Sequence, residues 1–306
     1  MKRILLFSLT GLIVAFTLVT FTSCTGESFL SQEHDLVGER STESQYYHME
    51  RVIVFRADDG TRQSVERYNL RLMVEPDDQS AVENAKYTCV ELTMQKDDGP
   101  EVTIPVLEGW SHEMERGMET DEQGLLFGVP DTKFQGLTDS NGEVLEPIVA
   151  YQIKDLFVGF HSFTFPAEPA KESQDFQGLK RIGDKIILAE AGVETAILEG
   201  STFKNGEITL EFKGVSVVGD APTAILHLDS GDGSFIMTFS HEGMEIKTVG
   251  GTHYWADIYL DLETKWVKKS EVVVVDMTET TTGDQVLDSS AIETTTIIRA
   301  VPEAEF

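Results

Sequence analysis

The chain has 306 residues, with 53 acidic against 24 basic side chains and a net charge of −29. A field of that sign repels phosphate backbones and bare anionic headgroups, so nucleic acid is disfavoured as a partner. The length suffices for one large domain or two ordinary ones with a buried core, without disulfide staples.

Lys2 and Arg3 precede an apolar run from Ile4 to Phe21, and Thr22-Ser23-Cys24 closes it. A short positive end, an apolar stretch and small residues at the exit make an export signal. The positive end stays on the cytoplasmic side. These residues resemble the bacterial lipoprotein signal, in which an apolar residue and two small ones precede an invariant cysteine. Phe21 departs from the Leu usual there. The resemblance implies removal of residues 1–23, a diacylglyceryl group on the Cys24 thiol and acylation of the new amino end. The membrane itself is then a partner, and several acyl chains at roughly 0.8 kcal/mol per buried methylene make the anchor durable. An uncleaved helix is the alternative, because roughly 18 apolar positions approach the lower spanning limit. Thr25 follows the cysteine, where an Asp marks inner-membrane retention in the enterobacterial scheme. The expected address is therefore the outer membrane, on either side.

Residues 24–45 are polar and read as a tether. From Tyr46, runs rich in Val, Ile, Tyr and Thr alternate with turn clusters. Met49–Phe55, Val65–Val74, Lys86–Met94 and Glu101–Leu107 are expected strands, separated by Asp58-Asp59-Gly60, Pro76-Asp77-Asp78 and Asp97-Asp98-Gly99. With Cys24 lipidated, Cys89 has no partner for an intramolecular disulfide, and in its strand it reads as a small buried hydrophobe. Residues 108–131 read as loop, and a turn is expected at Ser140-Asn141-Gly142. Pro147 to about Phe163 is the strong helix candidate, with Val149, Ile153, Leu156, Phe160 and Phe163 on one face.

Beyond a polar link near 167–178 the pattern becomes an antiparallel meander. Asn205-Gly206 favours a tight primed turn. A second hairpin is expected about Gly231-Asp232, with Leu228 opposite Phe235 and Leu226 opposite Met237. His253–Leu262, Trp266–Thr278 and Ile292–Val301 follow as strands. About eleven strands and one apolar helix predict a mainly β fold, a large curved antiparallel sheet or open barrel with the helix packed on it. Residues 46–306 are expected to form one domain, the alternative being two subdomains over 46–166 and 175–302.

Catalytic signatures and cofactor-binding motifs do not appear in the sequence. His112-Glu113 and His241-Glu242 begin like zinc-protease helices but lack the second histidine four residues on, where Arg116 and Glu245 stand. Ser201-Thr202-Phe203-Lys204 has a serine–lysine spacing, but Asn205-Gly206 makes it a turn rather than the helix that chemistry needs. The acid pairs at Asp58/Asp59, Asp77/Asp78 and Asp97/Asp98 read as exposed turn acids, since none sits in a calcium loop. The most informative segment is His253–Tyr259. Alternation places His253, Trp255, Asp257 and Tyr259 on one face, two polar groups with two rings, the composition of a ligand wall. With Phe160 of the helix they form the candidate binding site; the plainer reading is a strand buried on both sides. A non-enzymatic envelope lipoprotein that binds an apolar molecule or another envelope protein is the leading functional expectation. A hydrolase built on carboxylates and a structural part of a surface assembly are the alternatives.

Overall fold

The computed structural model describes residues 32–36, 40–76, 85–113, 125–126, 128–164, 178–198, 201–241, 244–283 and 285–306. The export signal and Cys24 lie outside them, as do half of the expected tether and the link expected near 167–178. The described tether residues are packed on the sheet rather than free, a correction to the expectation: Leu36 is buried, the His34 N–H donates to the Lys180 carbonyl at 2.8 Å, and Trp266 Nε1 donates to the Ser41 carbonyl at 2.8 Å. The three amino-terminal strands expected from alternation are β1 (Gln45–Ala57), β2 (Arg62–Glu75) and β3 (Lys86–Lys96). Expected strand Glu101–Leu107 is instead the two-residue β4 (Val102–Thr103) followed by a 3-10 turn at Pro105–Leu107. Pro105 has no N–H to give a ladder, and the turn lets Ile104 and Leu107 drop into the core. Three short strands follow: β5 (Ser111–Glu113), β6 (Leu125–Leu126) and β7 (Val129–Pro130). The one α-helix, α1, spans Pro147–Thr164.

The second half holds β8 (Lys185–Ala189), β9 (Glu194–Leu198), β10 (Ser201–Lys204), β11 (Ile208–Val218), β12 (Ala221–Asp229) and β13 (Gly233–His241). Then come β14 (Met244–Asp261), β15 (Val267–Thr282) and β16 (Gln285–Val301). Fourteen strands form one antiparallel sheet with β4-β3-β2-β1-β16-β15-β14-β12-β11-β8 as its main path, so the first strand and the last lie side by side in its middle. Both halves of the chain contribute to this single sheet.

Register explains the core. One transverse row runs Leu92, Leu70, Met49, Ile298, Ser270, Ile258, Leu226, Phe212 across eight strands. All eight are buried. A period of two puts every second row on the same face, so the apolar surface extends along the strands. The helix covers it with Ile153, Leu156, Phe157 and Phe160, none of which has exposed surface. Phe163, one turn on, packs against both of the buried clusters into which this face divides. Its carbonyl accepts from the Ser270 hydroxyl at 2.6 Å, which satisfies an end group of the helix and accounts for a serine in the apolar row.

A polar clamp fixes the middle of the helix. Arg51, buried on β1, donates from Nη1 to Asp155 Oδ2 at 2.7 Å and from Nε to Thr296 Oγ1 at 3.0 Å. Its guanidinium passes beneath Gly159, where an added Cβ would lie 2.8 Å from Nη2. Beside it the Tyr68 hydroxyl donates to the buried Glu66 at 2.7 Å and lies 2.9 Å from the Gln152 amide oxygen. Cys89 is buried in the same core, and burial pushes its thiol up to about 12.

The expected hairpin about Gly231-Asp232 does not form. β12 and β13 run in the same direction along one edge of β14, which pairs β13 through Thr252 and β12 from Trp255 onward. They are one long strand interrupted at 230–232. Ser230 stays in the ladder: its N–H donates to the Tyr254 carbonyl at 2.9 Å and its Oγ accepts the Tyr254 N–H at 2.8 Å. Asn205-Gly206 is likewise an interruption rather than a hairpin turn, because β10 pairs β13 while β11 pairs β12. β8 and β9 repeat the pattern against β11 and β10.

The helix is the only large cover for the concave face among the described residues. Phe160→Ala is therefore expected to lower stability by about 3–5 kcal/mol, whereas Ile148→Ala, at a position 54% exposed, stays within about half a kcal/mol. Urea unfolding of the two variants measures the difference.

Candidate functional site

Three neighbouring strands are broken at one level, at 190–193, 205–207 and 230–232. The breaks nest into a crease across the sheet. Gly192 N–H donates to the Asn205 carbonyl at 2.9 Å, and the Asn205 side-chain amide donates to the carbonyls of Glu190 at 2.9 Å and Gly206 at 2.8 Å. Gly206 meets the next break so closely that a Cβ there would lie 2.5 Å from both Gly231 C and Ser230 O. Gly231 adopts φ +57°, a conformation glycine takes without a steric penalty. The crease opens on the convex face as a cleft of about 440 Å³, lined by Lys204, Asn205, Asp232 and Ser234 with Gly192 and Gly233.

His253 links this cleft to the row singled out in the sequence. Its Nδ1 lies 2.9 Å from Asp232 Oδ1, its Nε2 lies 3.3 Å from Asp229 Oδ1, and its ring meets Trp255 edge-on at 5.7 Å. Farther along, Asp257 Oδ1 is 2.7 Å from His227 Nδ1, and the Lys269 ammonium lies over the Tyr259 ring at 5.4 Å. His253, Trp255, Asp257 and Tyr259 thus share one half-buried face, as alternation requires, and the opposite residues Tyr254, Ala256, Ile258 and Leu260 face the core. Phe160 lies on the concave side, so the expectation that it lines one cavity with Trp255 is corrected: the sheet itself separates them. The sequence did not reveal Lys204, Asn205, Asp232 and Ser234 as a group, because they converge only once the breaks align.

A second polar cluster lies inside. His112 of β5 and His161 of α1 bring their Nε2 atoms to 2.8 Å, one ring donating and the other accepting. His112 stacks on Trp110 at 4.9 Å and on Tyr87 at 5.4 Å, while His161 meets Tyr87 edge-on at 4.5 Å. Burial holds His112 down to about 4; for His161 burial and then the neighbouring His112 act the same way. The His112-Glu113 fragment is therefore part of a strand whose histidine is occupied by another histidine. His241 lies in β13, and its side chain is outside the description. On the concave side burial raises the Asp276 carboxyl, a Thr252 hydrogen bond opposes this, and the Asp155 charge adds to the rise. Asp155, whose charge reaches Asp276, is itself paired with Arg51 at 2.7 Å.

No protein-family model matches the chain, and no curated protein matches it in sequence. Among solved structures, a triple mutant of the porin of Rh. blastica aligns with 85% of this chain and 100% of its own, at 6% identity and a TM-score of 0.20. A superposition that loose carries no argument about either fold or activity.

The crease and the histidine pair give two predictions. Gly206→Ala forces the nested breaks apart and is expected to lower stability by about 1–3 kcal/mol, whereas Gly214→Ala, with open space around the added carbon, is close to neutral; thermal melts compare them. The histidines are neutral in the folded protein at pH values where an unfolded chain protonates them. Their contribution is thus complete above about pH 6.5 and declines as pH falls toward about 4. Acid unfolding of the protein is expected to be steeper across that window than in the double variant His112→Phe/His161→Phe, and equal steepness would show that the pair does not titrate this way.

Proposed function

We propose that this chain is a lipid-anchored protein of the cell envelope that works by binding, and that its partner docks on the convex face of the sheet. The observation that carries this reading is the division of the two faces. The concave face is filled by its own helix. On the convex side Ile236, Val249 and Met277 reach solvent as neighbours on β13, β14 and β15, farther along the same face from Trp255, with Met277 67% exposed. Solvent-facing apolar groups bordered by paired His, Asp and Lys side chains suit a protein partner, with an apolar centre and a polar rim. A filled interior weakens the expectation of an apolar small molecule and favours that of another envelope protein.

The anchor rests on the residues quoted above: Lys2 and Arg3, the run to Phe21, and Cys24. In this reading the lipid sits on Cys24 and the membrane is the outer one, and the chain is fixed to the sheet again by Leu36, which is buried in the fold. Among the described residues no helix is long and apolar enough to cross a membrane.

Cys24→Ala is expected to abolish incorporation of labelled palmitate and to move the protein out of the detergent phase. Unchanged labelling and partition would overturn the anchor. For the binding face, a photo-crosslinking residue at Met277 is expected to capture a discrete envelope protein in intact cells, and Val249→Asp is expected to abolish that product without changing the melt. Saturable uptake of an apolar dye that Phe160→Ala alters, with no crosslink at Met277, would instead return the site to the interior.

A further inference from the structure

The cleft over the crease has a chemistry different from the apolar groups around Met277. Glycine at 192 and 233 removes side chains from its lining, and glycine at 206 and 231 lets the breaks nest beneath it. What remains is the Ala191 methyl with an ammonium, a carboxamide, a carboxylate and a hydroxyl, from Lys204, Asn205, Asp232 and Ser234. Asn205 is buried, and both of its known amide donations go to backbone carbonyls, while its Oδ1 has no hydrogen-bond partner. That oxygen is closed off from the surface, so Asn205 braces the floor of the cleft and the reachable polar groups are those around it. Asp232, whose side chain is 97% exposed, is an acceptor held in place by the His253 ring. Lys204 and Ser234 supply donors.

Charge narrows the ligand class. The net charge of −29 opposes an anion, and within the cleft Lys204 and Asp232 offset one another, so the lining favours neither sign. The lining mixes polar and apolar surface, and a wholly apolar molecule would leave its polar groups without partners. A neutral molecule with many hydroxyls meets every condition, because each hydroxyl both donates and accepts. The half-buried His253 and Trp255 rings continue from the cleft along β14, and ring faces or edges of this kind accommodate the C–H surface of a pyranose. The volume of about 440 Å³ lies within the range of small-molecule sites. From the geometry we infer that this cleft binds a neutral saccharide chain, an inference that rests on the binding reading above and adds a ligand class to it.

The test uses full-length mature protein in detergent and isothermal titration with four neutral oligosaccharides: an α-glucan, a β-glucan, a mannan and a tetramer of N-acetylglucosamine. At least one is expected to bind, quench Trp fluorescence, and lose about tenfold or more in affinity on Asp232→Ala and on Lys204→Ala, each of which removes a charged hydrogen-bonding group. Glu279→Ala, on the same face away from the cleft, is expected to leave affinity unchanged. Melting curves show that the variants are folded; both substituted side chains are exposed, and Asp232→Asn, which keeps the oxygen acceptor, is expected to restore part of the affinity. The inference is overturned if none of the four binds, if binding is indifferent to both cleft variants, or if a uronate polymer or apolar dye is the ligand whose affinity they change. A crosslink at Met277 together with any of these results would retain the docking face and remove the saccharide alone; loss of both would remove the binding reading as well.

Discussion

An apolar face eight strands wide has to be covered, and the described chain has one helix with which to cover it. That constraint shapes the rest of the molecule. A flat sheet of this width would leave much of its apolar row in water; a curved one lets a single 18-residue helix reach from Tyr47 and Tyr87 on one side to Tyr254 on the other. Aromatic side chains make the reach, since each covers more area than an aliphatic one. Orientation comes from polar groups, Arg51 to Asp155 at mid-helix and Ser270 to the Phe163 carbonyl at the carboxyl end. The buried arginine is expensive to desolvate and weak evidence of stability in itself. Its value lies in register, because only one setting of the helix puts Gly159 over the guanidinium.

Much of this architecture is legible in the chain. Strict alternation in β1, β2 and β14 announces strands and sorts their faces, and Pro147 with the spacing of Ile153, Leu156 and Phe160 locates the helix and its buried side. Eleven of the strands are five residues or longer, the number the alternating runs imply. The errors share a cause. Asn205-Gly206 and Gly231-Asp232 are the local signature of a tight turn, yet the chain goes straight on. Whether such a pair reverses a strand or merely interrupts it depends on what lies alongside. Here β14 accepts both β12 and β13 on one edge, and that pairing is not written near residue 231. Local chemistry announced a break; only the distant partner decided its form.

The candidate site divides in the same way. The row His253, Trp255, Asp257 and Tyr259 was visible because it lies on one strand, whereas its direction was not, since alternation separates two faces without saying which is inside. Tyr254, Ala256, Ile258 and Leu260 were readable as a core face, and giving them the interior sends the other row outward. Phe160 was rightly placed on the buried face of the helix; the error was to join it to a row that points the other way. The His112–His161 pair had no sequence signature at all, because one member lies in a segment too irregular for periodicity and the other hides on an aromatic helix face.

The adjacency of β1 and β16 bears on how the molecule is made. β1 to β3 can pair as they emerge, and so can β14 with β15, but the seam joining these halves closes between residues such as Tyr46 and Val301, at the two extremes of the fold. Contacts of that separation are slow to form, and until they do an unpaired edge stays open in the middle of the future sheet. Arg51 waits with it, since Thr296, the acceptor for its Nε, is among the last residues of the sheet to be synthesised. A chain cut short before β16 loses the strand that joins the halves and the acceptor for a buried charge. Completion of the carboxyl-terminal strand thus acts as a checkpoint on assembly.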